Sequence, residues 1–239
     1  MENWLLKNCS AGLATELTMP FTSERSCSAE RKINDKRNRL LVIVTKNSEA
    51  GLVKTRLAQT IGNKRALEVH EILQRHTARI AAQVNAERKV FYSSFIPDSD
   101  IFITCDFSQG LQNGKDLGER MLHALGTGFE EGFKHVILIG TDCYELNPEI
   151  LEEAFTSLEH YNTVIGPATD GGFYLVGMNK VHQELFLQRQ WSTSGVLAES
   201  IAILERLGAT YKLLVELPDI DTVDDLKKSS LWTNKTNTQ

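Results

Sequence analysis

Leu40-Leu41-Val42-Ile43-Val44, followed by Thr45-Lys46-Asn47-Ser48-Glu49-Ala50-Gly51-Leu52-Val53-Lys54-Thr55-Arg56-Leu57, is the stretch on which the fold turns. Five apolar residues in succession, with no polar alternation, suit a strand covered on both faces in a parallel sheet. A polar turn containing Gly51 follows, and then a helical stretch from about Val53 to Val84. A strand, a short loop and a helix in that order are the opening unit of an α/β domain.

The same alternation continues outward. Gly62-Asn63 divides the long helical stretch, with Asn63 expected to cap a second helix. Val90 to Phe95 and Asp100 to Thr104 read as strands, and Gly118 to about Glu131 as a helix. His135-Val136-Ile137-Leu138-Ile139-Gly140 is the second clear buried strand. Asn147-Pro148 is a helix start, because proline is pre-organised for the first turn. Thr163 to Gly166 and Gly172 to Gly177 are strands. Val196 to Leu207 is a helix ended by Gly208, Tyr211 to Leu217 is a strand, and Asp221-Thr222 opens a capped helix. The expectation is a three-layer α/β/α domain over residues 38–228. Residues 1–37 and 229–239, polar and without sustained periodicity, are expected to be flexible flanks.

Bulk properties narrow the function. The chain has 239 residues, enough for one α/β domain. Its net charge of -5 argues against nucleic acid, which calls for a basic face. No run reaches the ~20 apolar residues of a membrane span. The N-terminus lacks the basic start of a secretory signal, and Lys7, Asn8 and Ser10 break its apolar run. Cys9, Cys27, Cys105 and Cys143 form no metal-type spacing and read as reduced thiols. The protein is expected to be cytoplasmic.

In open α/β sheets, ligands bind beyond the carboxyl ends of the strands. After the first strand, Lys46, Gly51, Lys54, Thr55 and Arg56 gather at a turn and a helix N-terminus. Two cations there oppose the helix dipole unless an anion lies among them, which suggests phosphate binding. Gly140-Thr141-Asp142 places a carboxylate directly after a buried strand, where it can hold Mg²⁺ or Mn²⁺ against a diphosphate. Asp219 and Asp221 lie two apart in an extended segment, on one side, and could supply a second ligand; Asp221 could equally cap the helix that follows. In the turn Gly166-Pro167-Ala168-Thr169-Asp170-Gly171-Gly172, the glycines admit close approach to the backbone. Asp170 there could accept a hydrogen bond from an acceptor hydroxyl or serve as base. Trp191-Ser192-Thr193 precedes a helix. The run from Gln112 to Met121, with Gly118 and Arg120, could read a nucleobase.

Taken together, Gly51 to Leu57, Asp116 to Met121, Gly140-Thr141-Asp142-Cys143, Gly166 to Tyr174, Trp191-Ser192-Thr193 and Asp219-Ile220-Asp221-Thr222 resemble one branch of the nucleotide-diphospho-sugar transferase (GT-A) superfamily. That branch is the glycosyltransferase-like family associated with radical-SAM and selenoprotein domains. The resemblance spans roughly residues 40 to 227 and implies a Rossmann-like GT-A fold with a mostly parallel, mixed sheet. It implies a nucleotide donor near Lys54 and Arg56, a divalent metal on Asp142, and a small-molecule acceptor near Asp170, Gly171, Gly172, Trp191 and Ser192. The Lys54-Thr55-Arg56 segment is also similar to that of phospholactate guanylyltransferases. The chain departs from the family pattern in three places. Asn47 or Ser48 stands where a proline is usual, Tyr144 replaces another proline, and Gly140 stands where glycosyltransferases carry the first aspartate of Asp-x-Asp. The bond cleaved could thus be sugar–phosphate or phosphate–phosphate, and a non-catalytic nucleotide-binding module is a further alternative.

Overall fold

A computed structural model describes residues 36–191 and 193–232. Seven strands form one sheet in the order β3-β2-β1-β4-β6-β5-β7. They are β1 (Arg39–Thr45), β2 (Glu87–Tyr92), β3 (Ser108–Leu111), β4 (His135–Ile139), β5 (Thr163–Pro167), β6 (Phe173–Met178) and β7 (Tyr211–Leu213). All neighbouring pairs are parallel except those of β6, which runs antiparallel to both β4 and β5. The helices are α1 (Thr55–Ile61), α2 (Asn63–Ala81), α3 (Ile101–Thr104), α4 (Leu117–Glu130), α5 (Pro148–Ser157), α6 (Val196–Arg206) and α7 (Val223–Lys228).

The side-chain period of two sorts β1 and β4 between two cores. Leu41, Ile43, Ile137 and Ile139 face Ala78, Ile80 and Ala81 of α2 and Leu151, Ala154 and Phe155 of α5. Leu40, Val42, Val136 and Leu138 face Met121, Ala124 and Leu125 of α4 and Leu204 of α6. Burial on both faces is why these strands read as unbroken apolar runs. From β1, the order runs to β2 and β3 on one side and to β4 on the other. This reversal opens a crevice at the carboxyl ends of β1 and β4.

Several expectations are corrected. Residues 101–104 form a helical turn, not a strand. The Asp100 carboxylate accepts from the Ile103 amide, and that cap decides the conformation of a short apolar run that suits either state. Ser108-Gln109-Gly110-Leu111, too polar to read as a strand, pairs with β2 at the sheet edge. Asn63 starts α2 without capping it. The last strand ends at Leu213, although Leu217 still bridges to Ala168.

Residues 1–35, Ser192 and 233–239 lie outside the described residues, so the expected N-terminal arm and the end of the tail do too. The start of that tail is packed. The Ser230 amide and hydroxyl both donate to Glu145, at 2.9 Å each. Leu231 is buried in a third core with Leu57, Val69, Leu73, Ile220 and Leu226. Leu231→Ala should therefore destabilise the chain by about 2–5 kcal/mol in urea unfolding. An unchanged midpoint would mean that Leu231 carries no packing.

Candidate functional site

The crevice is a cleft of about 620 Å³. Its walls come from the loops that leave β1, β2, β3 and β4, from the start of α4, and from the turn before α7. Lys46, Lys54, Thr55, Arg56, Arg120, Asp142, Asp219 and Asp221 all line it. Turns separated by more than 160 residues in sequence thus share one wall.

Lys54 joins them. It precedes α1 in the left-handed region, at φ 47°, uncommon for a residue with a side chain. Its ammonium reaches Asp142 Oδ1 at 2.7 Å, Asp221 Oδ1 at 3.1 Å and the Ile220 carbonyl at 2.6 Å. These three acceptors match the three donors of an ammonium. Burial opposes the charge on Lys54, but Asp142 and Asp221 outweigh it and raise the pKa above 10.5. With the two aspartates ionised, the protonated Lys54 therefore contributes its full stability below pH 10.5, and that contribution is lost as pH rises through the higher folded value. Arg56 Nη2 takes the other Asp221 oxygen at 2.5 Å. The Ile220 amide donates to the Asp142 carbonyl, which ties the two acidic turns by backbone as well.

The loop after β1 is fixed by residues that the sequence did not single out. His70 Nε2 and Gln74 Nε2, from α2, donate to the Lys46 carbonyl at 3.2 and 3.1 Å, and Gln74 also reaches Thr45 Oγ1. Burial lowers the pKa of His70, so the ring is neutral at pH 7. Gln112 donates to the Thr45 and Phe91 carbonyls. Asn47 donates to the Phe95 carbonyl, while its Oδ1 accepts from the Ser94 amide and the Ser93 hydroxyl. The Asn47 network holds this turn against the loop after β2. Tyr144 packs against His76 with ring centroids 4.5 Å apart and the planes tilted by 37°.

A recess of about 160 Å³ adjoins the cleft, and Asp170, Gly172, Trp191 and Thr193 help to line it. Asp170 is exposed and caps its own turn, accepting from the Gly172 amide at 2.9 Å.

Three expected contact glycines prove structural. Gly51 supplies a positive φ of 85° in the first turn and does not line the cleft. A Cβ on Gly171 would meet the Ser194 carbonyl at 2.2 Å, and one on Gly118 would meet the Phe186 carbonyl at 2.0 Å and Trp191 Nε1 at 2.5 Å. Both glycines face packed backbone and not the cleft.

Among the described residues, no three His, Cys, Asp or Glu side chains form a metal cage. Lys54 and Arg56 hold both oxygens of Asp221, and Lys54 also holds one oxygen of Asp142. Asp142 and Asp219 do fit a cation. Burial first, and then the charges of Asp142 and Asp170, push the Asp219 carboxyl up to about 7. That is the signature of carboxylates short of positive charge. Mg²⁺ typically binds through one or two carboxylates, leaving its other positions to water and substrate phosphates. Behind this pair, burial raises the Cys143 thiol to about 12, so it is an inert core group.

Comparison with known proteins accords with this geometry. Residues 76–193 match the model of a family described as an uncharacterized protein conserved in bacteria, DUF2064. A structure from Desulfovibrio desulfuricans G20, provisionally named a nucleotide-diphospho-sugar transferase, superposes with a TM-score of 0.76 at 28% identity. The match covers 84% of this chain and 94% of that one. The 4-diphosphocytidyl-2C-methyl-D-erythritol synthase of Anaerococcus prevotii DSM 20548 shares the fold at TM-score 0.54 and 11% identity, over 83% of this chain and 99% of that one. So does a CMP:2-keto-3-deoxy-manno-octonic acid synthetase complexed with CTP, at 0.52 and 10%, over 84% and 100%. No curated protein sequence matches the chain. The chain thus has a Rossmann-like α/β fold that matches a nucleotide-sugar transferase structure, as the sequence motifs implied. Among the described residues, no helix is long and apolar enough to cross a membrane.

Two outcomes check the assignments. At a solvent-facing helix site, Gly→Ala stabilises by about 1 kcal/mol. At Gly118 the clash should win, and Gly118→Ala should destabilise by about 1–3 kcal/mol in urea. The folded Asp219 carboxyl keeps its proton up to about pH 7, against 3.8 for the free group. Its ionisation therefore costs stability increasingly from pH 3.8 upward, in full above 7. Asp219→Asn should raise the metal-free Tm at pH 8, with the gain vanishing below pH 3.8. Mg²⁺ should then stabilise the unsubstituted chain more than the variant. Equal Tm values at pH 8 would contradict the assignment.

Proposed function

We propose that the protein is a cytoplasmic, metal-dependent transferase that takes a nucleotide-activated donor in the cleft and a small-molecule acceptor in the adjoining recess. The single observation that carries this reading is the continuous chain Arg56–Asp221–Lys54–Asp142, which places cations and a cation-seeking carboxylate pair on one wall. The likeness to the Desulfovibrio structure supports the transferase class.

In this reading, Asp142 and Asp219 hold Mg²⁺ or Mn²⁺, which offsets charge on the donor phosphates when bound. Lys46 and Arg56, both exposed, reach those phosphates from the β1 side, and Arg120 reaches them from α4. Lys54 and Asp221 keep the acidic turns in place. Asp170 accepts the acceptor's proton or orients its hydroxyl. Catalysis is then positioning and charge stabilisation, with no covalent intermediate on the protein. Nucleotidyl transfer with release of pyrophosphate is the second reading. It is favoured by a carboxylate pair drawn from two distant turns, with Gly140 in place of a neighbouring aspartate.

The test is a panel of nucleoside triphosphates and nucleotide sugars with Mg²⁺ or Mn²⁺, read by thermal shift and by product chromatography. Released nucleoside diphosphate marks glycosyl transfer, and pyrophosphate marks nucleotidyl transfer. Arg56→Ala should weaken nucleotide binding about tenfold. Asp142→Asn should lower turnover by about 10²–10³ while the fold persists. Binding without turnover would leave a nucleotide-binding module, and neither binding nor turnover would refute the reading.

A further inference from the structure

The cleft and the recess differ in charge. Lys46, Arg56, Lys115 and Arg120 line the cleft, whereas no cation lines the recess. The walls of the recess are Leu117, Met121, Phe173, Trp191 and Val196, and its polar groups are Asp170, Gly172, Thr193 and Asp219. Asp219 belongs to the cation site. Asp170 is then the recess's own charge, with Oδ1 held by the Gly172 amide and Oδ2 the acceptor left for a ligand.

The aromatic wall is held in place. Trp191 meets Phe173 edge-on, with centroids 6.2 Å apart, and stacks on Phe186 at 6.5 Å. Arg189 lies 4.9 Å over the indole. Its guanidinium donates to the Leu185 and Val196 carbonyls, the Ser200 hydroxyl and Glu199. The positive charge of Arg189 is thus spent behind the tryptophan, outside the lining of the recess. A wall locked in this way suits a rigid ring, since little side-chain freedom remains to be lost on binding.

We infer that the recess takes a compact, ring-sized acceptor group that is uncharged or cationic, and that it excludes phosphate and carboxylate. The size follows from the volume of about 160 Å³, since an apolar cavity of ~150 Å³ takes up a benzene ring. The charge follows from Asp170. An anion entering the recess would lose water to face the Asp170 carboxylate, with no lysine or arginine among the described lining residues to offset the repulsion. Because Leu117, Met121, Phe173 and Asp219 line both spaces, a hydroxyl or amine on such a ring would open onto the donor phosphates. This inference rests on the transferase reading for its role, although not for its binding.

The test uses three probes with one ring and different charges: benzylamine, benzyl alcohol and benzoate. Their binding to the full chain is read by ligand-observed saturation-transfer NMR. Benzylamine and benzyl alcohol should give transfer that is abolished both by Val196→Trp, which fills the recess, and by Thr193→Trp at its exposed lip. Benzoate should give no transfer sensitive to these substitutions. Asp170→Asn should weaken benzylamine about tenfold and admit benzoate. Benzoate bound in the recess of the unsubstituted chain would overturn the inference, as would amine and alcohol signals that neither tryptophan removes, or no signal at all. Nucleotide binding with Mg²⁺ on the same samples separates the two claims. Nucleotide bound without benzylamine refutes the recess alone. Benzylamine bound without any nucleotide refutes the transferase reading and leaves the recess standing.

Discussion

The Lys54 ammonium lies between two carboxylates and a carbonyl that come from opposite ends of the chain. Without it, Asp142 would lose its cation and Asp221 would keep only the exposed Arg56. With it, the loop before α1, the turn after β4 and the turn before α7 become one wall. The left-handed backbone at Lys54 belongs to the same arrangement, as local strain retained where the surroundings over-determine it. Three acids stand against Lys54 and Arg56. Asp219 is the acid left over, and burial first, then the charges of Asp142 and Asp170, raise its pKa.

The parts of the fold legible in the sequence were those buried on both faces. Leu40 to Val44 and His135 to Ile139 could satisfy their apolar runs only inside a parallel sheet. The edge strand Ser108–Leu111 was not legible, because an edge asks only for backbone pairing and leaves side chains exposed. Residues 101–104 misled because Ile101-Phe102-Ile103 suits either state and one cap, Asp100, decides. Ser229 to Trp232 misled because polar composition hid a single buried anchor, Leu231.

In the site, strand-end residues were legible because topology alone sends them to one crevice. Lys46, Lys54, Arg56, Asp142, Asp219 and Asp221 do meet there. Which oxygen faces which cation was not legible: Asp221 pairs with both Lys54 and Arg56. His70 and Gln74 escaped notice because their signal is their place on the α2 face turned toward β1, which sequence spacing alone does not distinguish from core. Gly118 and Gly171 looked like contact glycines, and their small size instead admits neighbouring backbone. Cleft and recess differ in charge, with Lys46, Arg56, Lys115 and Arg120 along the cleft and Asp170 and Asp219 beside the apolar side chains of the recess.

The central claim is that the cation belongs to Asp142 and Asp219 while Lys54 and Asp221 remain the frame. A crystal structure of the full chain with a nucleotide and Mn²⁺, read by anomalous scattering, tests it most directly. The account predicts a Mn²⁺ peak within about 2–2.5 Å of oxygens from both Asp142 and Asp219, with phosphate oxygens completing its shell and the Lys54–Asp221 contact kept. A peak on Asp221 with Lys54 displaced, or phosphates bound outside the cleft, would contradict it.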